Sequence, residues 1–315
     1  MLTFFKSFAL SQRIINPRVL IKRIAINIMT LWVIISVAYV VMKFAPGQPF
    51  SQEKALSEAT IRALKAKYDF GYWDYLWGIL HLDFRYSYAY LGQEVSGILK
   101  QALPVSLELG LIALVIATCC GYTLGLFAAI NQGKISDRML MLVAMMGIAI
   151  PNFILGPFLQ WWLCLQWQIL PVAGWDSWSH RILPALTLSA VYTAYIARLT
   201  RGTALEVIKQ PFMRVAFSKG LTQRQLIFSH LLRHTLTPLV NYLGPATAAL
   251  LTGALVIEKI YNIPGLGRHF VDSALHRDYP VALGVLICYS VLLLTLNFIV
   301  DILQCWIDPR IEFEA

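Results

Sequence analysis

The stretch ALPVSLELGLIALVIATCCGYTLGLFAAI, Ala102–Ile130, carries a single charged side chain, Glu108. About 20 consecutive apolar residues suffice for a helix to cross the hydrocarbon core of a bilayer, whereas a soluble helix of this length needs a polar face. The stretch therefore reads as a transmembrane helix. Five more apolar stretches bounded by charge obey the same rule: Ile24–Met42, Met139–Leu165, Leu183–Leu199, Leu239–Ile257 and Val281–Trp306. Several exceed the minimal length, which implies tilt or extension beyond the bilayer. The expected fold class is an all-α membrane protein with six transmembrane helices.

Composition agrees. The chain has 315 residues, 58% of them hydrophobic and 14% charged, with a mean hydropathy of +0.63. These values exclude a disordered chain, a secreted disulfide scaffold and an ordinary cytosolic enzyme. The net charge of +9 would suggest nucleic acid in a soluble protein; here it reports topology, and no nucleic-acid partner is expected. The N-terminal segment, the loop after the second span, the segment after the fourth span and the tail together hold 15 basic residues and five acids. The opposite side holds 11 basic residues and ten acids. The positive-inside rule places both termini in the cytoplasm. The first apolar run is too long for a signal peptide and no small-residue cleavage site follows it, so it reads as a retained helix.

Three parts follow: residues 1–101, with a cytoplasmic segment, the first span and a large external loop; residues 102–306, a five-span core containing the cytoplasmic loop 201–238; and the tail 307–315. In the external loop Ser57 to Lys67 reads as a short helix with Ser57 as N-cap. Trp73, Trp77, Phe84, Tyr86, Tyr88 and Tyr90 follow, and Trp175 and Trp178 occupy a second external loop. Such aromatics form interfacial belts, pack on neighbouring helices or touch a ligand.

No P-loop, H-E-x-x-H, C-x-x-C or G-x-S-x-G occurs. Cys119, Cys120, Cys164, Cys288 and Cys305 lie in or beside apolar spans, where cysteine acts as a small hydrophobe, and no disulfide is expected. His230 and His234 share a helical face, but supporting ligands are missing and no metal site is expected. Glu108 and Asp301 are candidate functional acids because an intramembrane carboxylate is costly; a hydrogen bond, an ion pair and a proton relay are all open to them. Gly121 and Gly125 form a G-x-x-x-G that permits close helix approach. Pro104, Pro151 and Pro157, with Gly147 and Gly156, predict kinks in the second and third spans.

The loop Arg201–Pro238 is the richest segment. Pro211 ends a helix continuing the fourth span, Gly220 stops the segment Phe212–Lys219, and Thr222 opens a new helix with Gln225 completing a capping box. Phe217, Leu221, Phe228, Leu231 and Leu232 are expected to supply apolar contacts, and Arg214, Lys219, Arg224 and Arg233 charge. Such a pair of short helices either lies on anionic lipid or docks a cytoplasmic partner.

Arg214-Val215-Ala216-Phe217-Ser218-Lys219-Gly220 resembles the E-A-A-x-x-x-G loop of ABC importer permeases, in the form R-[TV]-A-x-[AS]-K-G-L of the peptide branch. Arg214 replaces the general motif's Glu and Val215 its first Ala; Leu232-Arg233 stands where the general motif has a leucine-proline pair. Phe44-Ala45-Pro46-Gly47-Gln48-Pro49-Phe50, Ala197-Arg198-Leu199-Thr200-Arg201-Gly202, Gly253-Ala254-Leu255-Val256-Ile257-Glu258, Ile263-Pro264-Gly265-Leu266-Gly267, Arg277-Asp278-Tyr279 and Asp308-Pro309-Arg310 are similar to further signature stretches, in the right order. The chain thus resembles the OppB-type permease subunits of oligopeptide importers.

The resemblance implies a type I ABC importer permease fold in a bacterial inner membrane, with a second, OppC-type permease, two ATP-binding subunits and a periplasmic peptide-binding protein as partners. ATP and magnesium would sit on the partner ATPases, with no cofactor or catalytic residue on this chain. It implies an ATPase-coupling loop comprising Arg214, Val215, Ala216, Phe217, Lys219, Gly220, Leu221, Gln225, Phe228, Leu232 and Arg233. Pro264, Gly265, Leu266, Gly267, Asp278 and Tyr279 are candidates for a periplasmic gate or binding-protein contact; a plain turn is the other reading of the Ile263–Gly267 segment. Competing readings are the same architecture carrying dipeptides, antimicrobial peptides, glutathione, haem or nickel chelates, and a stand-alone ion-driven carrier.

Overall fold

The computed structural model describes residues 17–44, 71–90, 92–252 and 254–307. The expected helix Ser57–Lys67, nearly all of the Phe44–Phe50 motif, Gly253 and the closing Asp308-Pro309-Arg310 lie outside the described residues, and so do the side chains of Arg224, Phe228, Arg233 and Cys305. Within them the helices are α1 (Pro17–Phe44), α2 (Tyr72–Leu80), α3 (Val95–Ile130), α4 (Ile135–Ala149), α5 (Asn152–Leu159), α6 (Trp178–Ile208), α7 (Pro211–Ser218), α8 (Gln223–Leu226), α9 (Leu232–Thr252), α10 (Leu255–Ile260), α11 (Leu266–His276) and α12 (Tyr279–Ile307). Two π-helical segments, Gln160–Gln166 after α5 and Ile227–Leu231 after α8, continue the helices they follow. An isolated antiparallel bridge joins Tyr86 to Glu94.

Among the described residues five helices are long and apolar enough to cross a membrane, and a sixth span exists if the pair α4 and α5 with its π segment counts as one. The expected kink in the Met139–Leu165 span is present and is larger than a kink, for its halves meet at 109°. Pro151 is the cause: it disfavours the helical region at the residue before it, and Ile150 sits at φ −94°, ψ 115°. Pro104, by contrast, lies inside α3 without ending it. The helix of the fourth span continues beyond its apolar stretch to Ile208, as expected of a helix that stops before Pro211. Arg201 interrupts the apolar run but is neutralised where it stands: its Nε and Nη2 donate to the two carboxylate oxygens of Asp137 at 2.7 and 2.9 Å.

The centre of the bundle is the parallel contact between α3 and α6, along which Gly121 meets Thr193 and Gly125 meets Ala197. Without a solvent-driven hydrophobic force between helices in lipid, close packing of small residues holds spans together. A Cβ added at Gly121 would lie 2.7 Å from the Thr193 carbonyl oxygen, and one at Gly125 2.5 Å from that of Ala197. Gly147 brings α4 as close, its Cβ position 2.7 Å from the Ala190 carbonyl. Ala113, Ala117, Ala128, Ala185, Ala197 and Ala204 are completely buried along the same seams. The other spans build outward: α9 packs against α3 and α6, and α12 against α9, while α1 packs on the outer side of α12. An Arg23–Asp301 ion pair ties α1 to α12.

The two ends differ. One carries α2, α10 and α11 beside the start of α3; the other carries α7 and α8 beside its end, where Leu126 and Ala129 cluster with Ala204 and Leu231. These are called the hairpin end and the basic end below.

The Gly125 seam leaves no room for a side chain against backbone. Gly125→Leu is expected to destabilise the detergent-solubilised chain by about 3 kcal/mol, within the usual penalty for overpacking. Gly202→Ala, on the facing helix α6 but with open space around its Cβ position, is expected to change the thermal unfolding midpoint little or to raise it. Equal midpoints for the two variants would refute the seam.

Candidate functional site

At the basic end, α6 stops at Ile208 and Pro211 begins α7 as its first residue, where a missing N–H is harmless. The expected stop at Gly220 is present, with φ +84°, a conformation that favours glycine. Thr222 and Gln225 form the capping box: the Thr222 amide donates to Gln225 Oε1 at 2.9 Å and the Gln225 amide to Thr222 Oγ1 at 3.4 Å. Met213 and Ala216 are buried and cluster with Leu226, against which Val207 and Leu221 pack. The opposite face of α7 is free. Val215 is 55% exposed and Phe217 68% exposed, with Arg214 and Lys219 exposed beside them. The apolar contacts within the loop are made by positions 213 and 216, and Phe217, one residue beyond Ala216, is turned about 100° away and presents its ring outward. Leu231 is buried and Leu232 half-buried, as inner contacts. His230 and His234 both face the Phe212 ring, with centroids 6.3 and 5.0 Å away.

At the hairpin end, α10 and α11 fold back on each other around the turn Tyr261–Gly265. Glu258, completely buried, is the fastening. Its Oε2 accepts from the Gly267 amide at 2.7 Å and the Arg268 amide at 3.3 Å, placing a carboxylate at the positive N-terminal end of α11. Ser106 of α3 accepts from the Leu266 amide at 2.8 Å and hydrogen-bonds Glu258 as well. The two glycines of the turn make room for this: a Cβ at Gly265 would lie 2.6 Å from Ser106 Oγ, and one at Gly267 2.5 Å from Leu255 Cα. Lys259 pairs with Asp272 across the hairpin. Behind the hairpin lies a cleft of about 260 Å³ lined by Thr252, Leu255, Phe270, Leu286, Tyr289, Ser290 and Leu293.

Asp278, also buried, does the same work for the neighbouring loop. It accepts from the Tyr88 amide at 3.0 Å, the Ala89 amide at 3.2 Å and the Ser87 hydroxyl, joining the segment after α2 to the start of α12. Its neighbour Tyr279 is the first residue of α12. Burial holds the His269 imidazole below its ordinary range, with Arg268 adding to the effect and Asp272 opposing it. Pro264, Gly265, Leu266 and Gly267 thus stand together with Asp278 and Tyr279 at one end of the bundle, and the coupling-loop candidates stand at the other.

The two intramembrane acids are ion-paired. Arg181 donates from Nε to Glu108 Oε1 at 2.6 Å, with its guanidinium 4.6 Å from the Trp175 ring and 5.0 Å from that of Trp178. Asp301 pairs with Arg23. Of the external-loop aromatics, Phe84 is buried and Tyr86 and Tyr90 are partly exposed, whereas Trp73 and Trp77 stand 77% and 67% exposed. Sequence reasoning passed over Glu258, Ser106 and the Asp137–Arg201 pair. The readable signal for Glu258 was an acid closing an apolar run seven residues before a Gly-x-Gly turn.

Residues 121–313 match the family described as binding-protein-dependent transport system inner membrane component. The chain is 40% identical over 301 residues to the dipeptide transport system permease protein DppB of Bacillus subtilis, covering 94% of this chain and 98% of the relative. It is 38% identical over 302 residues to the oligopeptide transport system permease protein OppB of Salmonella typhimurium, covering 93% and 99%. Its fold is similar to that in inward-facing structures of the MetNI methionine ABC transporter, with a TM-score of 0.56 at 17% identity, covering 67% of this chain and 96% of that one. An amino acid ABC transporter gives a TM-score of 0.54 at 15% identity, covering 69% and 95%. The helical spans, the family match and these folds agree on a type I ABC importer permease, and the chain belongs to the family of binding-protein-dependent transport system inner membrane components.

Proposed function

We propose that this chain is one of two membrane-spanning subunits of an ATP-driven importer that carries oligopeptides across a bacterial inner membrane. Its basic end faces the cytoplasm, with both termini on that side, in keeping with the excess of Lys and Arg there. The partners in this reading are an OppC-type permease, two ATP-binding subunits that hold ATP and magnesium, and an external peptide-binding protein. This chain supplies the path and the lever and has no catalytic role. The similarity to peptide permeases over nearly the full length supports the cargo, and dipeptides are within its scope.

The observation that carries the lever is α7. A short helix anchored from behind by Met213 and Ala216 presents Val215 and Phe217 outward between cationic side chains. An exposed apolar pair on a rigid mount suits a groove on an ATPase subunit. Closure of the ATPases would then move α7, and the packed spans would turn that motion into alternating access. At the other end the α10–α11 hairpin, latched by Glu258, is placed to act as the external gate. The ion-driven alternative has less support, since Glu108 and Asp301 are each matched by an arginine and lie near opposite ends of the bundle.

Phe217→Glu is expected to leave insertion and folding unchanged, because the side chain is exposed, and to lower recovery of the ATPase subunits with the purified permease at least tenfold. Gly220→Pro is expected to abolish peptide-stimulated ATP hydrolysis, as proline is confined to φ near −65°. Coupled hydrolysis at the normal rate in both variants would sink the lever. For the gate, Glu258→Gln keeps the shape but removes the charge facing α11. Amide hydrogen exchange at Leu266 and Gly267 is expected to quicken at least tenfold, with ATP hydrolysis no longer tightly dependent on the binding protein; unchanged exchange with unchanged coupling would remove Glu258 from the gate.

A further inference from the structure

The exposed side chains of the spans are mostly apolar: Met29, Trp32 and Val37 on α1, Leu142, Val143 and Met146 on α4, and Val291, Leu293 and Ile299 on α12. The basic-end half of α6 differs. Tyr195, Arg198, Gly202 and Glu206 are all exposed there and recur at helical spacing, so they share one face. Tyr242 of α9 leans toward the same face, its ring 6.4 Å from that of Tyr195. The space over Gly202 is open.

Arg198 is the unusual member. On α6, Arg181 meets Glu108 and Arg201 meets Asp137, but Arg198 between them meets no carboxylate among the described residues. Its guanidinium lies 5.6 Å from the Tyr195 ring centroid. A guanidinium turned toward acyl chains is costly, and polar residues continue inward from it to Tyr195 and Tyr242. A lipid-headgroup site would instead give way to apolar side chains at that depth. The face therefore borders water, with a cation left free and a glycine gap beside it.

We propose that this face lines the inner part of the translocation path and that Arg198 transiently binds an anionic group of the cargo, the C-terminal carboxylate of a peptide. The guanidinium fork fits a carboxylate, and Tyr195 and Tyr242 flank it with aromatic surfaces that tolerate any adjoining residue. The carboxylate is common to peptides of every sequence, so the site handles its cargo without selecting among side chains. This inference rests on the peptide reading of the cargo.

The test uses the complete importer in proteoliposomes, with trialanine and trialanine amide each loaded on the binding protein, and reads uptake per ATP hydrolysed. Arg198→Gln is expected to lower uptake of the free acid about fivefold, the worth of a partly exposed ion pair, with assembly and ATP hydrolysis unchanged. Arg198→Lys should recover most of the loss, and the amide should be carried alike by wild type and Arg198→Gln. Equal uptake of the free acid by wild type and Arg198→Gln would overturn the proposal. A common loss for acid and amide would also do so, as would a loss confined to vesicles containing phosphatidylglycerol, which would mark a lipid site. A wild-type complex that carries neither peptide would overturn the cargo reading itself and this inference with it.

Discussion

The close approach of α3 to α6 is the constraint on which the rest of the bundle depends. Two glycines one helical turn apart let the backbone of α3 lie against the carbonyls of Thr193 and Ala197, and a third glycine seats α4 on the carbonyl of Ala190. Any side chain at these points would separate the spans, because in lipid no solvent term compensates for a lost contact. The seam fixes where α6 stands, and α6 in turn carries Arg181 at one end, Arg201 at the other and the exposed Tyr195–Arg198 face between them. A rigid central helix with fittings at both ends is what a mechanical transmission needs, since load applied at one end reaches the other without being absorbed.

Charge is handled differently at the two ends. At the hairpin end, buried carboxylates hold backbone: Glu258 grips the first amides of α11, and Asp278 grips those of Tyr88 and Ala89. Bonds of this kind are directional and sit in a medium that strengthens them, so the hairpin is positioned sharply, yet it hangs on a few contacts. At the basic end, the Asp137–Arg201 fork with the Gly133 amide closes the loop between α3 and α4 onto α6. Beyond it α7 relies on a small apolar cluster. One end is held by directional bonds to buried carboxylates and the other, at α7, by apolar packing.

Much of this was legible in the residues. Five spans, the G-x-x-x-G seam, the stop at Gly220 and the Thr222–Gln225 capping box follow from hydropathy, small-residue spacing and capping chemistry, all of which are local. The bend at Pro151 was legible as a kink but not as a turn of 109°, because its size depends on what α4 and α5 pack against. The inward or outward sense of Phe217 was not legible at all: an eight-residue helix with Phe212, Met213, Val215, Ala216 and Phe217 offers two apolar faces, and only the position of Leu226 decides between them. Arg181, Trp175 and Trp178 look like an interfacial belt until Glu108, 73 positions away, is seen to meet the guanidinium. Pairings of that separation leave no trace in a single sequence.

The π-helical segment Ile227–Leu231 bears on how the faces of this region are to be read. A π turn holds more residues than an α turn, and each extra residue displaces the succeeding side chains by about 100° around the axis. A helical wheel drawn from Gln223 through to Thr252 in one register therefore assigns the wrong face to everything beyond Leu231. The side of α9 that presents Tyr242 toward Tyr195 is set by this phase offset, so the junction between α8 and the fifth span acts as an angular spacer. Loss of a single residue within it would re-aim α7 relative to α9 while leaving every apolar contact type in the sequence unchanged.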